Sequence, residues 1–167
     1  MVALDATVLA VLLDPQATVP RHPDTNAPLT NALDRISGLV ARLTAANHEI
    51  LIPTPALSEV LVKVDEPQAL LNRVAKDPIF RVAPFGIRAA MEAAEMTRNA
   101  IESGGKRGKA KGPWSKVKVD RQIVAIARVH GAETIYSDDG DVRSLGEEVG
   151  IAVTRIADLP LPTASSQ

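Results

Sequence analysis

The sequence has no cysteine and very few aromatic residues. Without thiols there can be no disulfide framework, thiolate nucleophile, zinc–thiolate site or iron–sulfur cluster, so any metal ion must be bound by oxygen or imidazole ligands. Aromatic side chains make up 2% of the 167 residues, which excludes a platform of aromatic rings for stacking bases. The core must consist of Ala, Val, Leu and Ile, a composition that favours helices packed on a buried parallel sheet.

Long apolar runs and common nucleotide-binding motifs are also absent. The longest apolar run, from Val8 to Leu13, is far shorter than the roughly 20 residues of a membrane span. The N-terminus does not resemble a secretory signal. We therefore expect a soluble, cytoplasmic protein that does not bind membranes. No Gly-x-Gly-x-x-Gly motif follows a strand, and Gly104-Gly105-Lys106 does not have the spacing of a P-loop, which argues against nucleotide hydrolysis.

The net charge of -1 conceals an uneven distribution along the chain. Residues 103–118 contain six Lys or Arg and no Asp or Glu, which leaves 13 basic and 20 acidic residues, or -7, for the remainder. A phosphate-bearing ligand would be attracted to this basic segment, and a divalent cation to the acidic remainder.

The pattern of apolar residues predicts strands alternating with helices over a domain of residues 1–160, with residues 161–167 as a disordered tail. Alternation of this kind predicts parallel strands and a three-layer α/β/α fold. In the predicted helix Gly86–Ser103 we expect an inward face made of Ile87, Ala90, Met91, Ala94 and Ile101. A further helix is predicted over Val119–His130, so that Asp120 lies in its first turn. The predicted strands are Val2–Leu4, Ile50–Ile52, Ile79–Ala83, Glu133–Tyr136 and Ile151–Ile156; the other predicted helices are Thr7–Leu13, 29–46, two that begin near Pro55 and Pro67, and Asp141–Val149.

Acidic residues recur where predicted strands end or where the adjoining helices begin. They are Asp5, Glu59, Asp120 and the cluster Asp138-Asp139-Gly140-Asp141. Each of them has an ordinary structural explanation as a strand end, a solvated helix residue, a helix cap or a turn. Functional groups of open parallel sheets, however, collect beyond the carboxyl ends of the strands. Carboxylates crowded together there are best neutralised by hard divalent cations, so the joint placement predicts a site for one or two Mg²⁺ or Mn²⁺ ions.

Four segments that contain these acids occur in the order found in PIN-domain nucleases, and the sequence resembles this family over residues 1 to about 160. The segments are Val2-Ala3-Leu4-Asp5-Ala6-Thr7-Val8-Leu9, Pro55-Ala56-Leu57-Ser58-Glu59-Val60-Leu61, Asp120-Arg121-Gln122-Ile123-Val124-Ala125-Ile126-Ala127 and Ile135-Tyr136-Ser137-Asp138-Asp139-Gly140-Asp141.

The resemblance implies a central sheet of five parallel strands and metal-dependent endonucleolytic cleavage of RNA. Members of the family are often toxins of bacterial toxin–antitoxin pairs, like virulence-associated protein C-type toxins, and commonly form dimers. The resemblance therefore also implies a toxin role, an antitoxin partner and a homodimer. Position by position, it makes Asp5, Glu59, Asp120 and Asp139 the catalytic and metal-binding acids, Asp141 a further metal-binding acid, and Ser137 the supporting hydroxyl. Asp138 is an additional carboxylate, so the choice between Asp138 and Asp139 stays open.

The basic segment adjoins Asp120 and is a candidate for binding the nucleic-acid backbone. The candidate binding residues are Lys106, Arg107, Lys109, Lys111, Trp114, Lys116 and Lys118. Trp114 would either stack on a base or anchor the segment locally. The apolar faces of residues 55–74 could form a dimer interface or be buried within the domain.

Two other functions remain open. The fold could serve as a non-catalytic RNA-binding or partner-binding module, which a metal titration would distinguish from a nuclease. A metal-dependent phosphatase with an acidic α/β pocket would normally carry a second Asp two residues after the strand-end Asp, where this sequence has Thr7.

Overall fold

A computed structural model describes residues 1–22 and 25–162 of the protein. Five strands alternate with seven helices over these residues. They are β1 (Val2–Leu4), α1 (Ala6–Leu13), α2 (Ala32–Ala45), β2 (Ile50–Pro53), α3 (Thr54–Leu61), α4 (Pro67–Lys76), β3 (Phe80–Ala83), α5 (Ile87–Glu102), α6 (Trp114–Val129), β4 (Thr134–Tyr136), α7 (Gly140–Glu148) and β5 (Ala152–Thr154), followed by a 3-10 turn at Ile156–Asp158.

The five strands form one parallel sheet in the order β3-β2-β1-β4-β5. The chain moves outward from β1 to β2 and β3, and then returns to the other side of β1 with β4 and β5. In such a sheet the connections after β1 and β4 diverge, and a crevice opens beyond their carboxyl ends. Leu4 at the end of β1 pairs with Tyr136 at the end of β4, so the residues that follow both strands lie at the same edge.

Alternate side chains of the strands bury two different cores. Val2, Leu4 and Ile52 pack in a cluster with residues of α1, α2, α3 and α4. Ala3, Leu51 and Ile135 face the opposite way, into a cluster with residues of α5, α6 and α7. The period of two along each strand thus supports helices on both faces of the sheet. The prediction of a three-layer α/β/α fold with a central parallel sheet is confirmed.

The predicted inward face of α5 is wrong. Ile87 is 82% exposed, Met91 69% and Ile101 57%, whereas Ala89 and Ala100 are buried in the cluster with α6. Apolar residues occur on two faces of this helix, so their spacing does not decide which face is buried. The alanine-rich face packs inward because short side chains allow α5 and α6 to approach closely.

The predicted start of α6 at Val119 is also wrong. The helix begins at Trp114, with Pro113 at its N-cap, and not at Val119. Asp120 therefore lies in the second turn, and Lys116 precedes it on the same face at a spacing of four residues. This change determines the geometry of the acidic site described below.

Residues 55–74 pack against the protein's own core. Leu57 and Val60 of α3 and Leu70 and Val74 of α4 are buried in the cluster that contains α1 and α2. These faces are therefore covered within the monomer and are not a free dimer surface. Residues 163–167 of the predicted disordered tail lie outside the described residues. No helix in the described ranges combines the length and apolarity that a membrane span requires.

Candidate metal centre and its basic loop

Asp5 occupies the crevice between β1 and β4. It directly follows β1, its backbone N–H donates to the carbonyl of Tyr136, and its side chain is 5% exposed. The hydroxyl of Ser137, the first residue after β4, donates to Asp5 Oδ2 at 2.7 Å. Burial raises the pKa of Asp5 to about 6, and the nearby negative charges of Asp139 and Glu59 raise it further, whereas the Ser137 hydrogen bond opposes the shift.

Asp120 projects from α6 into the same region. Asp120 is 5% exposed, and burial raises the pKa of its carboxyl to about 6. The charges of Asp139 and Asp5 also raise this pKa, while the Lys116 ammonium lowers it. Asp5 therefore raises the pKa of an acid that is 115 positions away in the sequence.

Asp138 and Asp139 are neighbours in sequence but have different roles. Asp138 Oδ1 accepts a hydrogen bond from the backbone N–H of Ile156 at 2.8 Å, so it fixes the 3-10 turn after β5. Asp139 is the N-cap of α7, where its Oδ1 accepts from the N–H of Asp141. Its other carboxylate oxygen lies 2.8 Å from the Lys116 ammonium. The geometry thus places Asp139, and not Asp138, in the acidic site.

Glu59 lies on α3 and is half-buried at the border of the site. Burial raises the pKa of its carboxyl, and the charges of Asp120 and Asp139 act in the same direction, while Lys63 and Lys116 lower it. The structure therefore brings Asp5, Glu59, Asp120 and Asp139 to one edge of the sheet. We refer to these four residues as the acidic centre.

Lys116 forms ion pairs inside this region, which the sequence analysis did not foresee. Its ammonium lies 2.6 Å from Asp120 Oδ2, 2.8 Å from Asp139 Oδ2 and 3.2 Å from Asp141 Oδ2. Although burial alone would lower it, the pKa of Lys116 is raised by its hydrogen bonds to Asp120 and Asp139. The spacing of Lys116 and Asp120 on one helix was the sequence signal that could have revealed this pair.

Asp141 connects the acidic centre to the basic segment. Its carboxylate oxygens accept hydrogen bonds from the backbone N–H groups of Lys111 and Gly112 at 2.7 and 3.1 Å. Although burial works the other way, these donors and Lys116 hold the pKa of Asp141 below its usual value. A β-carbon at Gly112 would collide with Asp141 Oδ2, so a larger residue here would force the Asp141 carboxylate or the loop to shift.

The segment from 103 to 113, which we call the basic loop, has two further anchors. Glu148 of α7 accepts a hydrogen bond from the N–H of Lys109 at 3.0 Å. Arg121 of α6 is 2% exposed, and its Nη1 donates to the carbonyl of Lys106 and to the Thr97 hydroxyl. Lys106, Arg107, Lys109 and Lys111 themselves are exposed. The backbone of the loop is thus held in place while its charged side chains are exposed, and Lys106, Arg107 and Lys109 line a cavity of about 740 Å³.

Two cations of the chain lie over the ring of Trp114. The Lys106 ammonium is 4.8 Å and the Arg121 guanidinium carbon 5.7 Å from the centre of its ring. The indole also packs against the cluster of buried residues that contains α6. This arrangement corresponds to the local anchor that the sequence analysis gave as one alternative.

The donor set of this site fits a hard divalent cation. Carboxylate oxygens of Asp120, Asp139 and Asp141 all lie within 4.8 Å of one another. All are hard oxygen ligands, the type that Mg²⁺ and Mn²⁺ prefer. The Lys116 ammonium shows that a cation can be held among these three carboxylates. Asp139, Asp141 and Lys116 also line an open cleft of about 400 Å³, through which the site can be reached.

Solved structures show which fold family this geometry belongs to. A chain of the FitAB complex bound to an IR36 DNA fragment is 19% identical, with a TM-score of 0.60 over 96% of this chain and 98% of that chain. VapBC2 from Rickettsia felis, bound to a DNA fragment from their promoter, gives 15% identity and a TM-score of 0.59 over 93% and 98% of the two chains. VapC20 from Mycobacterium tuberculosis, a sarcin–ricin loop cleaving toxin, gives 17% identity and 0.52 over 96% and 100%.

The protein has the PIN-domain fold. The family resemblance found in the sequence is thereby confirmed at the level of the fold. No protein-family model matches the sequence, and no curated protein sequence matches it at a significant level. The PIN fold explains why its acids converge, because β1 and β4 lie side by side at the centre of the sheet.

Proposed function

We propose that this PIN-fold protein is an Mg²⁺- or Mn²⁺-dependent endoribonuclease. The observation that carries the proposal is the convergence of Asp5, Glu59, Asp120 and Asp139 from four separate segments on one edge of the sheet. Burying several carboxylates together lowers the stability of the fold. A divalent cation bound among them would neutralise their charge, and this accounts for their convergence.

The chain itself supplies the ligands and the groups that orient them. Asp120, Asp139 and Asp141 are the central ligands, with Asp5 and Glu59 completing the negative charge around them. A divalent ion bound there would activate water and stabilise the charge that develops on the phosphodiester. The Ser137 hydroxyl donates to Asp5 and its oxygen accepts from the N–H of Asp139, so it fixes two of these acids relative to each other.

The basic loop supports RNA as the substrate class. Its backbone is tied to Asp141, which shares the Lys116 ammonium with the acidic centre. One of its exposed cations, Lys111, lines the same cleft as Asp139 and Asp141. Cations arranged in this way attract the phosphate backbone and make affinity depend on salt.

A role as the toxin of a toxin–antitoxin pair is the biological part of the proposal. VapC20 is described as a sarcin–ricin loop cleaving toxin, and VapBC2 is found as a complex bound to promoter DNA. We propose by analogy that this protein acts in the cytoplasm, has a cognate antitoxin and forms homodimers. Growth arrest on expression, relieved by co-expression of the gene product encoded beside it, is the expected result; unimpaired growth with active enzyme would contradict the toxin role.

Cleavage of a labelled RNA tests the enzymatic proposal. The wild-type protein should cut in Mg²⁺ or Mn²⁺ and not in EDTA, because the carboxylates need the ion to act on the phosphate. Asp5→Asn keeps the size of the side chain and should abolish cleavage. Asp34→Asn, at an exposed position of α2, is the matched control and should cut like the wild type.

Two outcomes would reject the nuclease. Cleavage by Asp5→Asn purified in parallel would show that the activity does not come from this site. RNA binding without cleavage, together with no detectable Mn²⁺ binding, would favour the non-catalytic RNA-binding module.

A further inference from the structure

Among the described residues, the Lys116 ammonium is the one side-chain cation that lies between the carboxylates of the candidate metal site. It contacts the carboxylates of Asp120, Asp139 and Asp141 at 2.6, 2.8 and 3.2 Å. These are the same three residues whose oxygens lie within 4.8 Å of one another. The ammonium therefore occupies the position among the ligands that a divalent ion would need.

The two cations exclude each other at this position. Oxygens that donate to a metal ion must point at it, and here one oxygen of each carboxylate points at Lys116. Two cations a few ångströms apart in a partly buried site also repel each other strongly. A divalent ion can use these ligands only after the ammonium has left them.

The side chain of Lys116 has a route by which to leave. It is 40% exposed and lines the open cleft with Gly140 and Ser144. A lysine ammonium sits on a flexible four-carbon stem and is readily rehydrated, so it can move without a change of the backbone. The carboxylates in contrast are fixed by α6 and by the N-terminus of α7.

We propose that Lys116 is an internal competitor of the divalent ion: it neutralises the acidic site in the metal-free protein and is displaced when the ion binds. The inference rests on the proposed function, since it needs a divalent ion at these acids. The affinity for metal then depends on Lys116 as well as on the ligands. The carboxylates become available only when the concentration of the divalent ion is high enough to replace the ammonium.

Direct measurement of Mn²⁺ binding tests this competition. Lys116→Gln should bind Mn²⁺ about tenfold more tightly than the wild type by calorimetry or by electron paramagnetic resonance, since charge-assisted contacts no longer oppose the ion. Lys116→Arg keeps a competing cation and should not show this gain. Lys76→Gln, which removes the same charge from the end of α4, is the matched control and should bind like the wild type.

Chemical labelling of the wild-type protein provides a second test that needs no variant. An amine-reactive reagent should modify Lys116 slowly in EDTA and several-fold faster at saturating Mg²⁺, because displacement frees the ammonium. Mass spectrometry would report the rate relative to Lys76, which should not change with Mg²⁺.

The outcomes separate this inference from the proposed function. Equal or weaker Mn²⁺ binding by Lys116→Gln, or Lys116 labelling that is independent of Mg²⁺, would overturn the competition while leaving the metal site intact. If neither the wild type nor Lys116→Gln binds Mn²⁺, the metal-dependent function falls together with it. Binding by Lys116→Gln alone would support the competition most strongly.

Discussion

The acidic centre and the basic loop are neighbours with opposite construction. In the acidic centre, Asp5 and Asp120 are 5% exposed and are fixed by a strand end and a helix. In the basic loop the charged side chains are exposed, and it is the backbone that is held, by Asp141, Glu148 and Arg121. The like charges of the acidic centre lower the stability of the fold because they are buried together, whereas the exposed charges of the basic loop affect stability little.

Single substitutions should therefore have different effects in the two regions. A buried carboxylate acts through its position, so one change should remove a function. An exposed cation acts as part of a sum, so several must be removed before the effect is large.

Substitution of Asp139 should reduce cleavage far more than substitution of its neighbour Asp138. Asp139→Asn should reduce cleavage at least about 100-fold, because it removes a charge from the metal ligands. Asp138→Asn should cut at nearly the wild-type rate, since Asp138 supports the turn at Ile156 and does not face the acidic centre. Single-turnover cleavage rates under saturating Mg²⁺ would measure both. Equal loss in the two variants would contradict the assignment of Asp139.

Asp5→Asn should increase stability in the absence of metal. The pKa of Asp5 is raised from 3.8 to about 6, so the folded protein binds this proton more tightly than the unfolded chain does. Its contribution to folding is complete below pH 3.8 and is lost as the pH rises through about 6. At pH 7 in EDTA the variant should be more stable by about 2 to 3 kcal/mol.

Urea denaturation at several pH values would measure this gain. The difference between Asp5→Asn and the wild type should disappear below the unfolded pKa of 3.8, where both side chains are neutral. Asp34→Asn, at an exposed position of α2, is the control for the loss of a carboxylate. A variant that is no more stable at pH 7 would mean that the buried charge is compensated in the metal-free protein.

Neutralising the basic loop should weaken RNA binding without disabling the acidic centre. With Lys106, Arg107, Lys109 and Lys111 all changed to Gln, the slope of log affinity against log salt should fall by up to about 3, at roughly 0.7 for each lost phosphate contact. Cleavage at saturating RNA should change much less. Fluorescence anisotropy at several salt concentrations would measure the slope, and an unchanged slope would show that the loop does not contact the backbone.

Loosening the loop should have the smallest effect. Arg121→Met removes the donor to the Lys106 carbonyl, so trypsin should cut between residues 106 and 111 a few-fold faster. Arg98→Met, on the exposed side of α5, is the control for the loss of an arginine. Unchanged cutting would show that Asp141 and Glu148 are sufficient to hold the loop.

Much of the site could be predicted because parallel strands impose a common edge. Asp5 and Asp139 each follow a strand closely, so their meeting depends only on β1 and β4 being neighbours. The helix face of α5 could not be predicted in this way. Both of its faces are apolar, and the choice between Ile87 and Ala89 depends on how closely α6 approaches.

The kind of fold, the acids at the strand ends and the separation of basic from acidic charge could be read from the residues alone, because these follow from apolar periodicity and residue type. Three contacts became known only from the folded chain: Asp138 accepts from Ile156, Asp141 holds the basic loop, and Lys116 pairs with Asp120. Those outcomes depend on side-chain direction and on where α6 begins, and both are fixed by packing between distant segments.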